Sequence, residues 1–284
     1  MSFLSVLLAL FIDRIVWDGT VHRRHQWYGR YVHKLTTSLM GDSILKSGFA
    51  AVVTVLPIVA LVGWLQVSVL PSFGTLLEFA FASTVLLFCL GPRDLGRDVE
   101  AYINARANGN QTREEEYAGH LLQKSEDTEQ MQQIADGIFL AGCQRLIGPL
   151  FWFVLFGAAG AIAYRLIQQL DSIPFEEPYS APLRESTNTL RNIADWAPAR
   201  ITAAGFAVAG NFDAVAAAWK NFSQQEISDD QSEASVLLTE TGRAALDQGA
   251  QQQTALVADS MALVWRNLTL WVVLIGLISL FGQL

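Results

Sequence analysis

Residues 48–70 run for twenty-three positions without a charge, holding one Pro (Pro57) and one Gln (Gln66). In hydrocarbon no water satisfies a stray backbone N–H or C=O, so such a stretch must be a helix that bonds its own backbone. About 20 residues of this kind cross a bilayer. A second stretch, 74–90, follows the short Pro71-Ser72-Phe73 break and carries only Glu78; so short a connection makes the two an antiparallel hairpin. Residues 147–167 and 265–284 are expected as a third and a fourth span, with Arg266 at the entrance of the last. Two further stretches are weaker. Residues 1–17 are apolar only as far as Asp13 and Arg14, about 25 Å of helix at 1.5 Å per residue against a core of about 30 Å. They also lack the basic start and small-residue cleavage site of a signal peptide. Residues 193–210 are Ala-rich and carry Asp195 and Arg200; a span, a re-entrant helix and a protein-buried helix all fit them.

Charged residues make up 16% of the chain and hydrophobic ones 51%, against about 25% charged in soluble proteins. That balance excludes a disordered chain. Two cysteines exclude a disulfide scaffold. A net charge of −8 leaves no cationic surplus for phosphates, so nucleic acid is not an expected partner. Loops 14–46 and 92–145 hold six Lys/Arg each and the Pro71 turn none, which places both loops in the cytoplasm and the turn outside. On that count 168–192 lie outside. Residues 92–146 and 211–264 are rich in helix formers, and no run alternates as a strand would. The expected fold is an all-α polytopic membrane helix bundle with helical cytoplasmic segments. It is one domain, 1–284, in a bacterial inner membrane.

Local motifs are modest. Thr112-x-x-Glu115 reads as a capping box, and Ser125 or Asp127 as the cap of a helix running toward Arg145. Pro149 sits in the first turn of a span, where its missing N–H costs nothing. Gly41–Ser47 keeps the Lys-Ser of a phosphate loop but lacks its second Gly. His22-x-x-His25 and His33 lie in a basic loop without the carboxylates that support a metal, and no metal is expected. Cys89 and Cys143 read as small apolar residues. Gly157 and Gly160 read as small residues that admit close helix packing. Ionisable groups at membrane depth carry more weight, because they are costly there unless paired. They are Asp13, Arg14, Glu78, Arg165, Asp171, Asp195 and Arg200. Arg14, Arg165 and Arg266 are expected to snorkel to the interface. Asp13, Asp195 and Arg200 are expected in a buried polar cluster. The last two, five residues apart, are expected to pair with other helices rather than with each other.

The order of these motifs resembles the AmpE family, inner-membrane proteins named for their place beside AmpD in the control of AmpC β-lactamase induction. That family is similar in turn to the CobD/CbiB membrane enzymes of cobalamin assembly. The resemblance covers essentially the whole chain. It runs through the apolar start ending at Asp13, Gly91-Pro92-Arg93-Asp94-Leu95 with Tyr102 and Ala105, Pro149-Leu150-Phe151-Trp152, Gly157-x-x-Gly160-Ala161-x-Ala163-Tyr164-Arg165, Leu170-Asp171, and Asp195-Trp196-Ala197-Pro198-Ala199-Arg200. The CobD/CbiB resemblance implies joining of an amino-alcohol phosphate to a corrinoid carboxylate with ATP. The chain departs from those enzymes where acids and amides stand ahead of their P-L-F-W motif, with Leu140, Ala141 and Gln144 there instead. It also reads Gln168-Gln169-Leu170-Asp171 for N-T-L-D, and Arg191-Asn192 for a pair of acids.

From the AmpE-like motif order and the lost acids, the expectation is a non-catalytic signalling protein for β-lactamase induction and cell-wall fragment sensing. Its ligand-binding candidates are Asp13, Arg93, Asp94, Arg165, Asp171, Asp195, Trp196 and Arg200, with Arg93 and Arg200 suited to a carboxylate or phosphate. Expected partners are the bilayer and a cell-wall-derived small molecule or a partner protein; a homodimer stays open. No cofactor is expected. The alternative is a CobD/CbiB-like, ATP-dependent amide-forming enzyme with an altered substrate. A third reading is a small-molecule transporter, for which Pro57 and a broken helix near 193–210 would supply a midplane site.

Overall fold

In the computed structural model, residues 2–15, 26–38, 49–90, 95–121, 130–171, 173, 180–225, 232–246 and 253–281 are described, and every regular element among them is a helix. They are α1 (Ser2–Ile15), α2 (Gln26–Ser38), α3 (Ala50–Trp64), α4 (Thr75–Cys89), α5 (Leu95–Ala107), α6 (Gln111–Leu121), α7 (Gln130–Gly142), α8 (Gly148–Leu170), α9 (Ser180–Ala209), α10 (Phe212–Phe222), α11 (Glu233–Ala245) and α12 (Gln253–Leu280). The protein is a helical membrane bundle. Three helical stretches are long and apolar enough to cross a membrane: Ala50–Phe73, Met131–Leu170 and Ala255–Leu280. Only 22% of the first is buried, so its apolar side chains point outward, where lipid can meet them. Thr75–Cys89, expected as a span, is a 15-residue helix of about 22 Å.

The chain forms two compact units. One holds residues 1–92 and 148–195, the other 93–147 and 196–283. In the first unit α4 packs on α1 and α8, and α3 packs on α8. Val6 and Ala9 of α1, Leu86 and Cys89 of α4, and Ala161 and Leu166 of α8 are fully buried there. In the second, α10 and α11 form a hairpin, α12 and α11 pack on α7, and α5 packs on α6 and α12. Phe139 meets Phe206 edge to face at 5.4 Å. Arg243 grips Asp136 through both carboxylate oxygens. Asn267, in the apolar α12, donates to Thr202 O at 3.0 Å.

The expected third span is not a straight rod. Gly157 adopts φ 67°, ψ −150°, a conformation essentially reserved for glycine, and α8 turns back on itself there. A Cβ on Gly148 would strike the Tyr164 ring, although sixteen residues of straight helix would hold the two about 24 Å apart. A Cβ on Gly160 would likewise strike Trp152 O. Of the two glycines expected to admit a neighbouring helix, Gly160 admits α8 to itself, whereas Gly157 makes the turn and admits Gln66 of the neighbouring element. The turn leaves backbone groups without helical partners, and Gln66 takes them: its Nε2 donates to Phe156 O at 3.4 Å and its Oε1 accepts from Ala159 N at 3.2 Å.

Caps and prolines differ from expectation in instructive ways. The cap of α6 is Asn110, whose Oδ1 accepts Arg113 N–H at 3.2 Å, and not Thr112. Gly109, at φ 66°, turns the chain out of α5 just before it and so fixes the cap two residues earlier. Ser125 and Asp127 lie outside the described residues, as do the Gly41–Ser47 loop, His22 and His25. Pro149 lies in the first turn of α8, as expected, but α8 follows directly on the π-turn Cys143–Ile147 at the end of α7. A π-turn shifts the hydrogen-bond register, so an imide nitrogen is tolerated inside continuous helix. The last span begins at Ala255, ten residues before the expected start, because residues 255–264 extend the same apolar helix.

Candidate functional site

Pro198, inside α9, has no N–H, so Ala194 O lacks its helical donor. Trp152 Nε1, on the first arm of α8, donates to that carbonyl at 3.1 Å. One residue further along α9, Asp195 Oδ1 accepts from Tyr164 Oη and Gln168 Nε2, each at 2.7 Å, on the second arm. In a straight α8, Trp152 and Tyr164 would stand about 18 Å apart and could not both reach neighbouring residues of α9. The turn at Gly157 thus builds the site. Tyr164 and Gln168 are one helical turn apart and share a face.

Asp195 is 3% exposed. One turn before it on α9, Arg191 pairs with Asp171, which follows the end of α8. Around Asp195 the first unit therefore gathers a carboxylate, a phenol, an amide and a guanidinium–carboxylate pair. Burial pushes the Asp195 carboxyl above the ordinary carboxylate range. The hydrogen bonds from Tyr164 and Gln168 and the charge of Arg191 act against that rise, and Asp171 adds to it. Helix α9 is not among the three stretches apolar enough to cross.

The eight sequence candidates separate. Asp171 and Asp195 belong to this cluster. Arg165 is 7% exposed; it is buried in the first unit and does not snorkel, whereas Arg266 is exposed. Trp196 and Arg200 lie in the second unit. There the Arg200 guanidinium sits 4.1 Å over the Trp196 ring and pairs with Glu233 of α11. As expected, Asp195 and Arg200 bond to other helices. Asp13 falls in the last turn of α1, and its side chain lies outside the described residues, as do Arg93 and Asp94. Tyr164 entered the sequence reading only as a motif position, and Gln168 and Arg191 only as departures from the CobD/CbiB pattern; none was taken as a site residue, although the i, i+4 spacings 164/168 and 191/195 signalled shared faces. A second buried ionic group, Asp98 with Arg145 at 3.6 Å and Arg145 donating to His120 O at 3.2 Å, also escaped notice.

Among the described residues no three His, Cys, Asp or Glu side chains gather as a metal cradle. Asp171 is already neutralised by Arg191, and Asp195 Oδ1 is committed to two donors. This donor set does not fit Mg²⁺, which takes oxygen ligands in a near-octahedral shell. What it fits is binding and proton handling. Leu140 and Ala141 are buried and Gln144 half-buried in the second unit, so the positions that lost their acids pack helices there.

A family model described as CobD/Cbib protein matches residues 6–237. The chain is 25% identical to a protein of Stutzerimonas stutzeri (strain A1501) named "Cobalamin biosynthesis protein CobD", over 99% of this chain and 97% of that one. A protein of the same name from Chromobacterium violaceum is also 25% identical, over 74% of this chain and 70% of that one. No solved structure matches. These likenesses overturn the expectation of a non-catalytic regulator of β-lactamase induction. They carry the broader CobD/CbiB grouping and not the AmpE-like one, and they run through the segment whose missing acids had argued against chemistry.

Proposed function

The chain belongs to the CobD/CbiB family, and from that premise we propose that it is a multi-pass enzyme of the cytoplasmic membrane that forms an amide between an amine-bearing substrate and a corrinoid-type carboxylate with ATP. The observation that carries this is end-to-end correspondence with a protein named for cobalamin biosynthesis. The cluster around Asp195 supports it, because amide formation needs an amine relieved of its proton in a dry pocket. Asp171 and Asp195 are the site residues we retain from the sequence. The test is direct. Full-length protein in detergent, given ATP with Mg²⁺, an amino-alcohol phosphate and a corrinoid acid, is expected to yield amide and ADP together. Absence of both across a panel of amines and acids, in folded protein, would reject the reading.

Nucleotide chemistry requires the cluster to face the cytoplasm, whereas a single crossing at 147–167 would place it outside. The turn at Gly157 removes that conflict. The arms of α8 on either side of it are nine and thirteen residues long, about 13 and 20 Å, so α8 enters and returns, and Gly148 and Leu170 lie on one side. With the Lys/Arg-rich loop 92–145 inside, residues 171–192 are inside too. Glu185→Cys, an exposed position of α9, is therefore expected to react with a membrane-impermeant maleimide in inverted vesicles and not in spheroplasts. The native thiols, Cys89 and Cys143, are buried and give a quiet background. Labelling in spheroplasts would take nucleotide chemistry away from this cluster.

A further inference from the structure

Both hydrogen bonds to Asp195 land on Oδ1; among the described residues none reaches Oδ2. The carboxylate is buried, yet Oδ2 is not among the sealed polar atoms that lack a partner. One helical turn away, Arg191 commits one guanidinium nitrogen to Asp171 and keeps its side chain 23% exposed. Its Nη2 takes no partner among the described residues and, unlike the sealed Nε, is open, so the cation holds unused bonding capacity. An open anionic oxygen and an under-bonded cation thus lie on the same face of α9, about 5–6 Å apart at their Cβ atoms. This pair complements a small dipolar molecule, with ammonium at one end and an anionic group a few atoms away.

We propose that Asp195 and Arg191 hold the amine-bearing substrate in this way: Asp195 Oδ2 receives the ammonium and takes its proton, Arg191 faces the anionic group, and Tyr164 and Gln168 are positioning residues. The assignment rests on the amide-forming reading for what the amine does next. In the step itself one N–H bond breaks and its electron pair stays on nitrogen, while an O–H bond forms at Oδ2. The neutral amine then attacks an acyl carbon activated by the ATP of the proposed reaction; the C–N bond forms as the C–O bond to phosphate breaks, and the second proton lost by nitrogen leaves with the phosphate. Asp195 passes its proton to water. Tyr164 and Gln168 favour the ionised carboxylate, because each donates to it.

The probe is O-phosphoethanolamine, titrated into full-length protein in detergent by calorimetry, with ethanolamine and inorganic phosphate as single-headed controls. Wild type is expected to bind the probe at least tenfold more tightly than either control. Asp195→Asn and Arg191→Gln are each expected to weaken it tenfold or more while thermal unfolding stays cooperative. Tyr164→Phe removes a hydrogen bond from the ionised form and so raises the Asp195 pKa. Its acid limb of binding is expected to move to higher pH, a shift that a purely structural role would not produce. Should Asp195→Asn misfold, Arg191→Gln and the Tyr164→Phe pH profile decide. Equal binding by wild type and Arg191→Gln, or wild-type binding no tighter than to inorganic phosphate, overturns the assignment. Turnover separates the two readings. Amide formation that survives in Asp195→Asn rejects this assignment and leaves the enzyme reading standing. Probe binding through Asp195 and Arg191 without amide formation does the reverse.

Discussion

Gly157→Ala is expected to destabilise the protein by about 3–5 kcal/mol. Two costs combine. The backbone conformation at this position is essentially closed to residues with a side chain, at about 1–3 kcal/mol. A Cβ would also meet the Gln66 amide closer than real Cβ atoms approach, and overpacking adds about 1–3 kcal/mol. Displacing Gln66 then frees Phe156 O and Ala159 N inside apolar surroundings, where unpaired backbone groups are least tolerated. Gly63→Ala is the matched control. It lies on α3 beside the same turn, but its Cβ would meet Ala159 Cβ at 3.6 Å, an ordinary contact. Thermal unfolding in detergent, followed by size-exclusion recovery, should show a fall of many degrees for Gly157→Ala and little change for Gly63→Ala. If α8 were a straight span, the two substitutions would behave alike.

The same turn marks where sequence reading ends. Helical class and membrane class follow from backbone satisfaction in hydrocarbon, and 48–70 announces both. Residues 147–167 have the composition of a span, and composition does not register a change of direction. A glycine that permits helix approach and one that permits positive φ are spelled alike. Gln66 was visible as the one amide in a charge-free run, but its partners lie ninety and ninety-three residues away. Asp195 was picked out because a carboxylate in apolar surroundings is costly, and that logic held: it is buried and doubly hydrogen-bonded. Its supposed companion, Arg200, found Glu233 in the other unit, since pairing across helices depends on a tertiary arrangement that spacing does not encode. The missing acids at 140, 141 and 144 weighed too heavily in the reading. A lost ligand at one segment says little about a site assembled from the arms of α8 and from α9, and likeness over nearly the whole chain outweighs it.

Gly148→Ala should separate the site from the fold. Gly148 is buried at the start of α8, and a Cβ there would press on the phenol end of Tyr164, at Cζ and Oη. Tyr164 is 1% exposed, so the ring cannot swing into solvent; it must slide along its pocket by an ångström or more. Its 2.7 Å bond to Asp195 is the contact with least room to follow, because a hydrogen bond weakens steeply as its length and angle depart from ideal. Losing a bond to a charged group is worth about 1.5–3 kcal/mol, which is about ten- to a hundredfold in turnover at 1.4 kcal/mol per decade. The backbone at Gly148 is ordinary helix, unlike that at Gly157, so overpacking of about 1–3 kcal/mol is the whole folding cost. Gly148→Ala is thus expected to stay folded in detergent, to lose amide formation ten- to a hundredfold, and to share the alkaline shift of Tyr164→Phe. In the double variant Gly148→Ala/Tyr164→Phe the methyl still meets the ring at Cζ and Cε1, but the hydrogen bond to Asp195 that it would disturb is already gone, so turnover is expected to match Tyr164→Phe alone rather than fall by the product of the two losses. A multiplicative fall would mean that Gly148 acts through some route other than the phenol, and that Tyr164 is not what positions Asp195.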